Sequence, residues 1–245
     1  MKTGDILETK FHGLLQILEY KDSKNVVGKF LSTGYTVTGR ADSFRKGYVR
    51  DRLAKTICGA GFLGMEDHST HPEYVNIYQR WRNMIVRCNQ SQETAYRPSY
   101  LGCTICPEWH DLSKFFNWCI THPQWNSGKW ELDKDILVKG NKVYSPTTCC
   151  FVPTEVNNLF VKRDKLRGPF VIGVTRYSKN KFIAQCQDGK GSLITFPPRL
   201  TELESFMDYK IFKESVIKST AETYKPCISN DIYQVMVRYE VETTD

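Results

Sequence analysis

The chain lacks what a membrane protein or a secreted scaffold would need. No apolar run approaches the ~20 residues that span a bilayer, and Met1-Lys2-Thr3-Gly4-Asp5 does not open a signal peptide. The expected location is cytoplasmic, with no membrane partner. Nine cysteines are an odd and scattered set. Without a secretory leader they exclude a disulfide framework and leave reduced thiols or a metal site. Metal-ligand spacing is scarce as well. Cys103-Thr104-Ile105-Cys106 has C-x-x-C spacing, but a tetrahedral structural zinc needs two further ligands, for which Cys88, Cys119 and His110 are the candidates. Reduced core thiols are the expectation, and zinc on Cys103 and Cys106 is the alternative. Gly59-Ala60-Gly61-Phe62-Leu63-Gly64 fits G-x-G-x-x-G, yet Met65 to Pro72 reads as loop where the dinucleotide fingerprint requires a helix. No dinucleotide site is expected, and the stretch reads as a linker.

What is present is an ordinary balance of residues with an uneven charge. The 245 residues are 40% hydrophobic and 25% charged, enough for two or three small domains. The net charge of +7 is concentrated: residues 162–225 hold 13 basic and 7 acidic side chains, whereas residues 226–245 hold 1 and 4. A localised basic segment points to a polyanion partner.

Residue patterns predict an α+β, multidomain chain. Leu14–Tyr20 and Val26–Phe30 read as strands about the turn Asp22-Ser23-Lys24-Asn25, followed by Thr33–Thr38, so residues 1–58 form a small β domain and 59–72 its linker. From Pro72 to Cys88, Tyr74, Ile77, Tyr78, Trp81, Met84 and Ile85 share one helical face, and a second helix covers Leu112–Ile120. In Trp130–Phe160 the reading is strand, Gly140-Asn141 turn, strand at Cys149–Val152, then a helix opened by Pro153. Asp133-Lys134-Asp135 interrupts the apolar strand, and Asn157 falls on the inward side of the helix. A strand carboxylate facing a helix amide can hold one hard divalent cation through oxygen. After a basic link at 162–169, Phe170–Arg176, Lys181–Gln187 and Ser192–Phe196 read as three strands, and a Thr201/Glu204 capping box opens a long helix.

At these residues the chain resembles the HNH nucleases of the ββα-metal fold, and within them the phage-encoded homing endonucleases. The strand–turn–strand–helix of 130–160 carries the resemblance, together with Trp81…Met84…Arg87-Cys88, Cys106-Pro107-Glu108-Trp109 and Phe115-Phe116-Asn117-Trp118 ahead of it. The resemblance implies that residues 1–58 are a small SH3-like barrel and that residues 73–163 are the nuclease domain. It makes Asp133 and Asn157 ligands of Mg²⁺ or Mn²⁺. Where the family has the histidine that activates water, this chain has Lys134; Lys134, Asp135 or a nearby His110 or His122 would take the catalytic role beside Asp133. Zinc-bearing members carry a second C-x-x-C after the hairpin, absent here. The block from 164 to 245, with Gly173-Val174-Thr175-Arg176, Lys181-Phe182-Ile183-Ala184 and Ala221, resembles the APETALA-type DNA-binding domain, which lays a three-stranded sheet in the major groove. That likeness implies DNA contacts from Arg176, Lys179, Lys181 and Lys190.

The expected activity is metal-dependent hydrolysis of phosphodiesters in double-stranded DNA, as a nick or a double-strand cut, in a host bacterial cytoplasm if the chain is phage-encoded. A homodimer stays open. The alternative is a catalytically inactive HNH-scaffold protein that binds DNA as a regulator or nuclease inhibitor; RNA binding is a third reading.

Overall fold

The computed structural model describes residues 1–89, 100–125, 129–161 and 169–245. It is mixed α+β, with six α-helices and several small sheets among the described residues. The basic link at 162–168 lies outside them. The chain divides into two compact units, Met1–Arg97 with Cys103–Ile120 and Pro98–Gly102 with Thr121–Asp245.

The first unit begins with an antiparallel meander of β1 (Ile6–Thr9), β2 (Gly13–Tyr20), β3 (Val26–Phe30) and β4 (Thr36–Gly39), in that order across the sheet. The expected hairpin turn is there: Asp22 Oδ1 accepts from the amides of Lys24 at 2.7 Å and Asn25 at 2.9 Å, a local bond that competes with strand extension. Leu15, Ile17, Val26 and Phe30 point inwards, on the period of two that one-sided burial requires. The expected barrel is not formed. The four strands stay an open sheet, and its apolar face is closed by Ala41 and Phe44 of the short helix α1 (Ala41–Arg45) together with Val49. A helix on the sheet buries the same face that barrel closure would have buried.

Helices α2 (Tyr74–Cys88) and α3 (Leu112–Thr121) follow the predicted periodicity, and a two-residue strand, β5 (Thr104–Ile105), lies between them. Ile77, Trp81, Met84 and Ile85 of α2 are buried, as are Phe115, Phe116 and Cys119 of α3. The Trp81 indole N–H donates to the Trp109 carbonyl at 2.8 Å, and the Trp109 ring meets Phe115 edge-on at 5.0 Å. A buried indole needs such a partner.

Residues 59–72 do not behave as a linker. The Phe62 amide donates to the His110 carbonyl and the Leu112 amide to the Phe62 carbonyl, both at 2.9 Å. The Arg52 guanidinium bonds the Gly64 carbonyl at 2.8 Å and pairs with Asp67 at 3.0 Å, while His68 stacks on Phe116 at 4.2 Å. The glycines read as G-x-G-x-x-G serve close packing. A Cβ on Gly61 would sit 2.8 Å from the Trp81 ring, and Gly64, at φ +80°, lies against the Asp111 carboxylate and the Ser113 hydroxyl. Hydrogen-bonding capacity hidden in backbone and arginine is what a composition-based reading of this loop misses.

The second unit contains β6 (Glu131–Asp133), a two-residue strand β7 (Val143–Tyr144), β8 (Cys150–Val152), α4 (Thr154–Phe160), β9 (Val174–Ser178), β10 (Lys181–Gln187), β11 (Leu193–Thr195), α5 (Glu202–Tyr224) and α6 (Asn230–Val237). β6 pairs antiparallel with β8, and β11-β10-β9 form an antiparallel three-stranded sheet packed on α5. Thr201 and Glu204 close the predicted capping box at 3.2 and 3.0 Å. Helix α6, capped by Ser229, was not foreseen. One continuous core joins the two halves: Ile136, Val152 and Val156 of the ββα hairpin belong to the same buried cluster as Ala184, Ile217 and Ile232. Each large aliphatic side chain so buried contributes roughly 1.5–3 kcal/mol.

Gly64→Ala is expected to destabilise the first unit by about 2 kcal/mol or more, because the positive φ and the Asp111 contact act together. A urea midpoint unchanged from wild type would show that the loop yields without cost.

Candidate metal and nucleic-acid site

The first hairpin strand is shorter than the apolar pattern of 130–138 predicts, and Asp133 is the reason. Its Oδ1 accepts from the amides of Asp135 and Ile136, each at 2.7 Å. A side chain that takes its own downstream amides turns the chain out of the strand. The corner breaks simple alternation, so Lys134 and Asp135 come together instead of pointing to opposite faces. Lys134 is 7% exposed, and its ammonium lies 3.0 Å from Asp135 Oδ2 and 6.0 Å from the centre of the Tyr144 ring.

The corner is held from below by a residue that the motif reading used only as a turn signal. Asn141 donates through Nδ2 to the Lys134 carbonyl at 2.6 Å and to the Val143 carbonyl at 2.8 Å, while its Oδ1 accepts from the Val143 amide at 3.1 Å. Gly140, at φ +79°, delivers Asn141 into that position. Asn after Gly was the available signal. Its side chain, more than its backbone, does the positioning.

Asp133 pairs across the ribbon with Cys150, and Leu132 with Phe151. Cys150, Val152 and Val156 share the core, so alternation places Asp133 on the side of the ribbon covered by α4. That helix starts after Pro153, and its first bond runs from the Asn157 amide to the Pro153 carbonyl at 3.0 Å. Asn157 is half-buried one turn in. Among the described residues, neither its side-chain amide nor Asp133 Oδ2 makes a hydrogen bond or ion pair. Half-buried polar groups usually find partners; two oxygen donors left over on facing elements suit a hard cation.

Charge at the corner is uncompensated in the same sense. Burial, and next the neighbouring Asp135 carboxylate, push the Asp133 pKa up to about 6 against the opposing pull of the two amides and Lys134. Burial, and next the Asp133 carboxylate, push the Cys149 thiol up to about 12 and raise Cys150 further. Without a metal ion, those two thiols stay protonated at neutral pH.

Within the second unit, no histidine takes the missing place. His110 belongs to the first unit. His122 packs edge-on against Phe151 at 5.3 Å, on the opposite face of the ribbon from Asp133, and burial holds its pKa down. Cys103 is buried and Cys106 half-buried in the first unit, both as free thiols. Among the described residues, no group of three or more His, Cys, Asp or Glu side chains could hold a metal ion. A site at Asp133 and Asn157, with one carboxylate and one amide, falls below that count and would rely on water and phosphate oxygens for its remaining ligands.

The four expected DNA contacts fall at two ends of the C-terminal sheet. Lys179 and Lys181 sit at the β9–β10 turn, and Lys190 at the β10–β11 turn built by Asp188 Oδ1, which accepts from the amides of Lys190 and Ser192. All three are exposed. Arg176 pairs with Phe182, so it lies on the face of Val174 and Ala184, which are buried against α5. Its guanidinium stacks over Phe170 and Phe182 at 5.5 and 5.8 Å and donates to the Lys179 carbonyl. The opposite face carries Thr175, Tyr177, Ile183, Gln185 and Thr195, with Tyr177 61% exposed.

Compared with known proteins, the chain matches no family model, no curated sequence and no solved structure.

The raised Asp133 pKa has a stability consequence. A carboxylic acid favoured in the fold stabilises below the unfolded value of ~4, and that stabilisation is lost as pH rises through about 6. In EDTA, Asp133→Asn is therefore expected to exceed wild type in stability at pH 8 by about 1 kcal/mol after allowance for partial exposure, roughly 2–4 °C in Tm, with no gain near pH 4. A pH-independent difference would refute the assignment of the shift.

Proposed function

We propose that the protein is an HNH-type, metal-dependent DNA endonuclease whose C-terminal sheet holds it on the duplex. The observation that carries this reading is a pair of unengaged oxygen donors, Asp133 Oδ2 on the ribbon face that α4 covers and the Asn157 amide one turn into α4. They fit a hard cation because a half-buried carboxylate with a raised pKa lacks positive charge. Mg²⁺ or Mn²⁺ bound there would supply charge neutralisation at the scissile phosphate and its leaving oxygen.

The chain's own groups do the rest. The amides of Asp135 and Ile136 fix the rotamer of Asp133, so one oxygen is spent on orientation and the other is presented. Lys134, a donor tied to Asp135, stabilises phosphate charge and does not accept the proton of water. Asp135, with its side chain 42% exposed, is the residue placed to orient that water. Phosphate contacts from Lys179, Lys181 and Lys190 position the sheet, and Tyr177, Gln185 and Thr195 are the groups that would meet base edges. Arg176 acts chiefly by packing the first turn in shape.

A second reading is favoured by one observation: His122, the histidine of the second unit, lies on the face of the ribbon opposite Asp133, and the position after Asp133 is an ion-paired lysine. The protein would then be an inactive HNH scaffold that binds DNA as a regulator or nuclease inhibitor.

Asp133→Ala and Asn157→Ala are each expected to lower Mg²⁺- or Mn²⁺-dependent nicking of supercoiled DNA by at least ~100-fold while leaving affinity within about threefold. Binding by wild type with no cleavage of any DNA, in either metal, would favour the inactive scaffold. Replacing Lys179 and Lys181 together by Ala is expected to reduce the slope of log affinity against log salt by about 2, and Lys190→Ala by about 1. Unchanged slopes would place the duplex elsewhere.

A further inference from the structure

Within the second unit, a cavity of about 260 Å³ lies beside the end of β10, between the last turn of α4, the segment leading into β9, and α5. Leu159, Phe160, Ile172 and Tyr209 give it apolar walls, and Asn158 and Gln187 line it as well. Lys213 of α5 lines it too. Among the described residues this lysine has neither an ion pair nor a hydrogen bond. An apolar pocket with a few convergent polar groups is the general form of a small-ligand site.

The charges around Lys213 do not balance it. On β10 its neighbour is Cys186, whose thiol burial raises and so keeps neutral. From the C-terminal segment, Tyr239 is likewise raised, by burial first and by Asp245 next. The Asp245 carboxylate, the one acidic side chain among the described residues lining the cavity, is already taken. It is bound by Lys139 at 3.0 Å, by the Tyr239 hydroxyl at 3.1 Å and by the Glu242 amide at 2.9 Å. Burial accordingly holds the Lys213 pKa below the usual lysine range. An ammonium group taken from water without a counter-charge is costly, and a cavity beside it offers room for the missing anion.

We propose that this cavity binds a small organic anion, a carboxylate or phosphate group on an apolar body, with Lys213 as its counter-charge. The site is separate from the metal corner and does not rest on nuclease activity.

The test uses the full chain with lysine ε-carbons labelled for NMR, titrated with sodium benzoate or phenyl phosphate against sodium chloride at equal ionic strength. The expected result is a saturable shift of the Lys213 ε signal at millimolar or lower concentration of one probe, with its apparent pKa raised by one unit or more on saturation. The probe that saturates identifies the head group, and chloride gives no such change. The shift disappears in Lys213→Met, whose thermal stability should equal or exceed that of wild type because an unpaired charge has been removed. No saturation by either probe in the wild-type protein would overturn the proposal. So would the same response of the cavity's Tyr209 and Leu159 signals in Lys213→Met, or an effect reproduced by chloride.

Discussion

The hydrogen bonds that the Asp135 and Ile136 amides donate to Asp133 Oδ1 are the constraint on which the central motif depends. They end β6 after three residues, turn Lys134 against Asp135, and leave the other carboxylate oxygen directed away from the backbone. Asn141 clamps the far side of the same corner through the Lys134 carbonyl. Polar side chains close to their own backbone compete with the ladder of a sheet. Here that competition is the architecture. The hairpin is too small to hold such a corner alone, and Ile136, Val152 and Val156 anchor it in a core shared with α5 and α6.

This shared core changes how the parts should be thought of. The ββα hairpin and the three-stranded sheet were legible as separate segments because their strand and turn signals are separate. Their packing was not, since nothing in a local pattern states that Val156 will meet the apolar face of a helix sixty residues away. The network of Lys139 with Glu242 and Asp245, backed by Tyr239 packed edge-on against Phe160, ties the hairpin loop to the C-terminal segment in the same way. Long-range ion pairs have no sequence period.

What could be read in advance followed from strong local chemistry. The faces of α2 and α3, the Asp22 turn and the Thr201 capping box all came from periodicity or from a side chain that bonds within three residues. The strand pair about Asp133 and the helix bearing Asn157 were legible for the same reason. Three things were not. The open meander was expected to close, because strand patterns do not reveal that α1 will cover the sheet. Residues 59–72 were taken for a linker, because Arg52 and the close approach of Gly61 to Trp81 are invisible to composition. Arg176 was set beside the lysines by the likeness to the APETALA-type domain, which says nothing of the register with Phe182 that turns it onto two aromatic rings.

The seven residues of β10 also set a scale. With ~3.3 Å per residue, the lysines at the two turns stand roughly 20 Å apart. A duplex lying along the strand advances about 3.4 Å per base pair, so the two basic ends would grip phosphates some six pairs apart, a little over half a helical turn. If the sheet binds a duplex as proposed, the strand would work as a ruler: its length would set the size of the tract between the grips, and adding or removing two residues, which preserves which side chains face the groove, would lengthen or shorten that tract by about two base pairs.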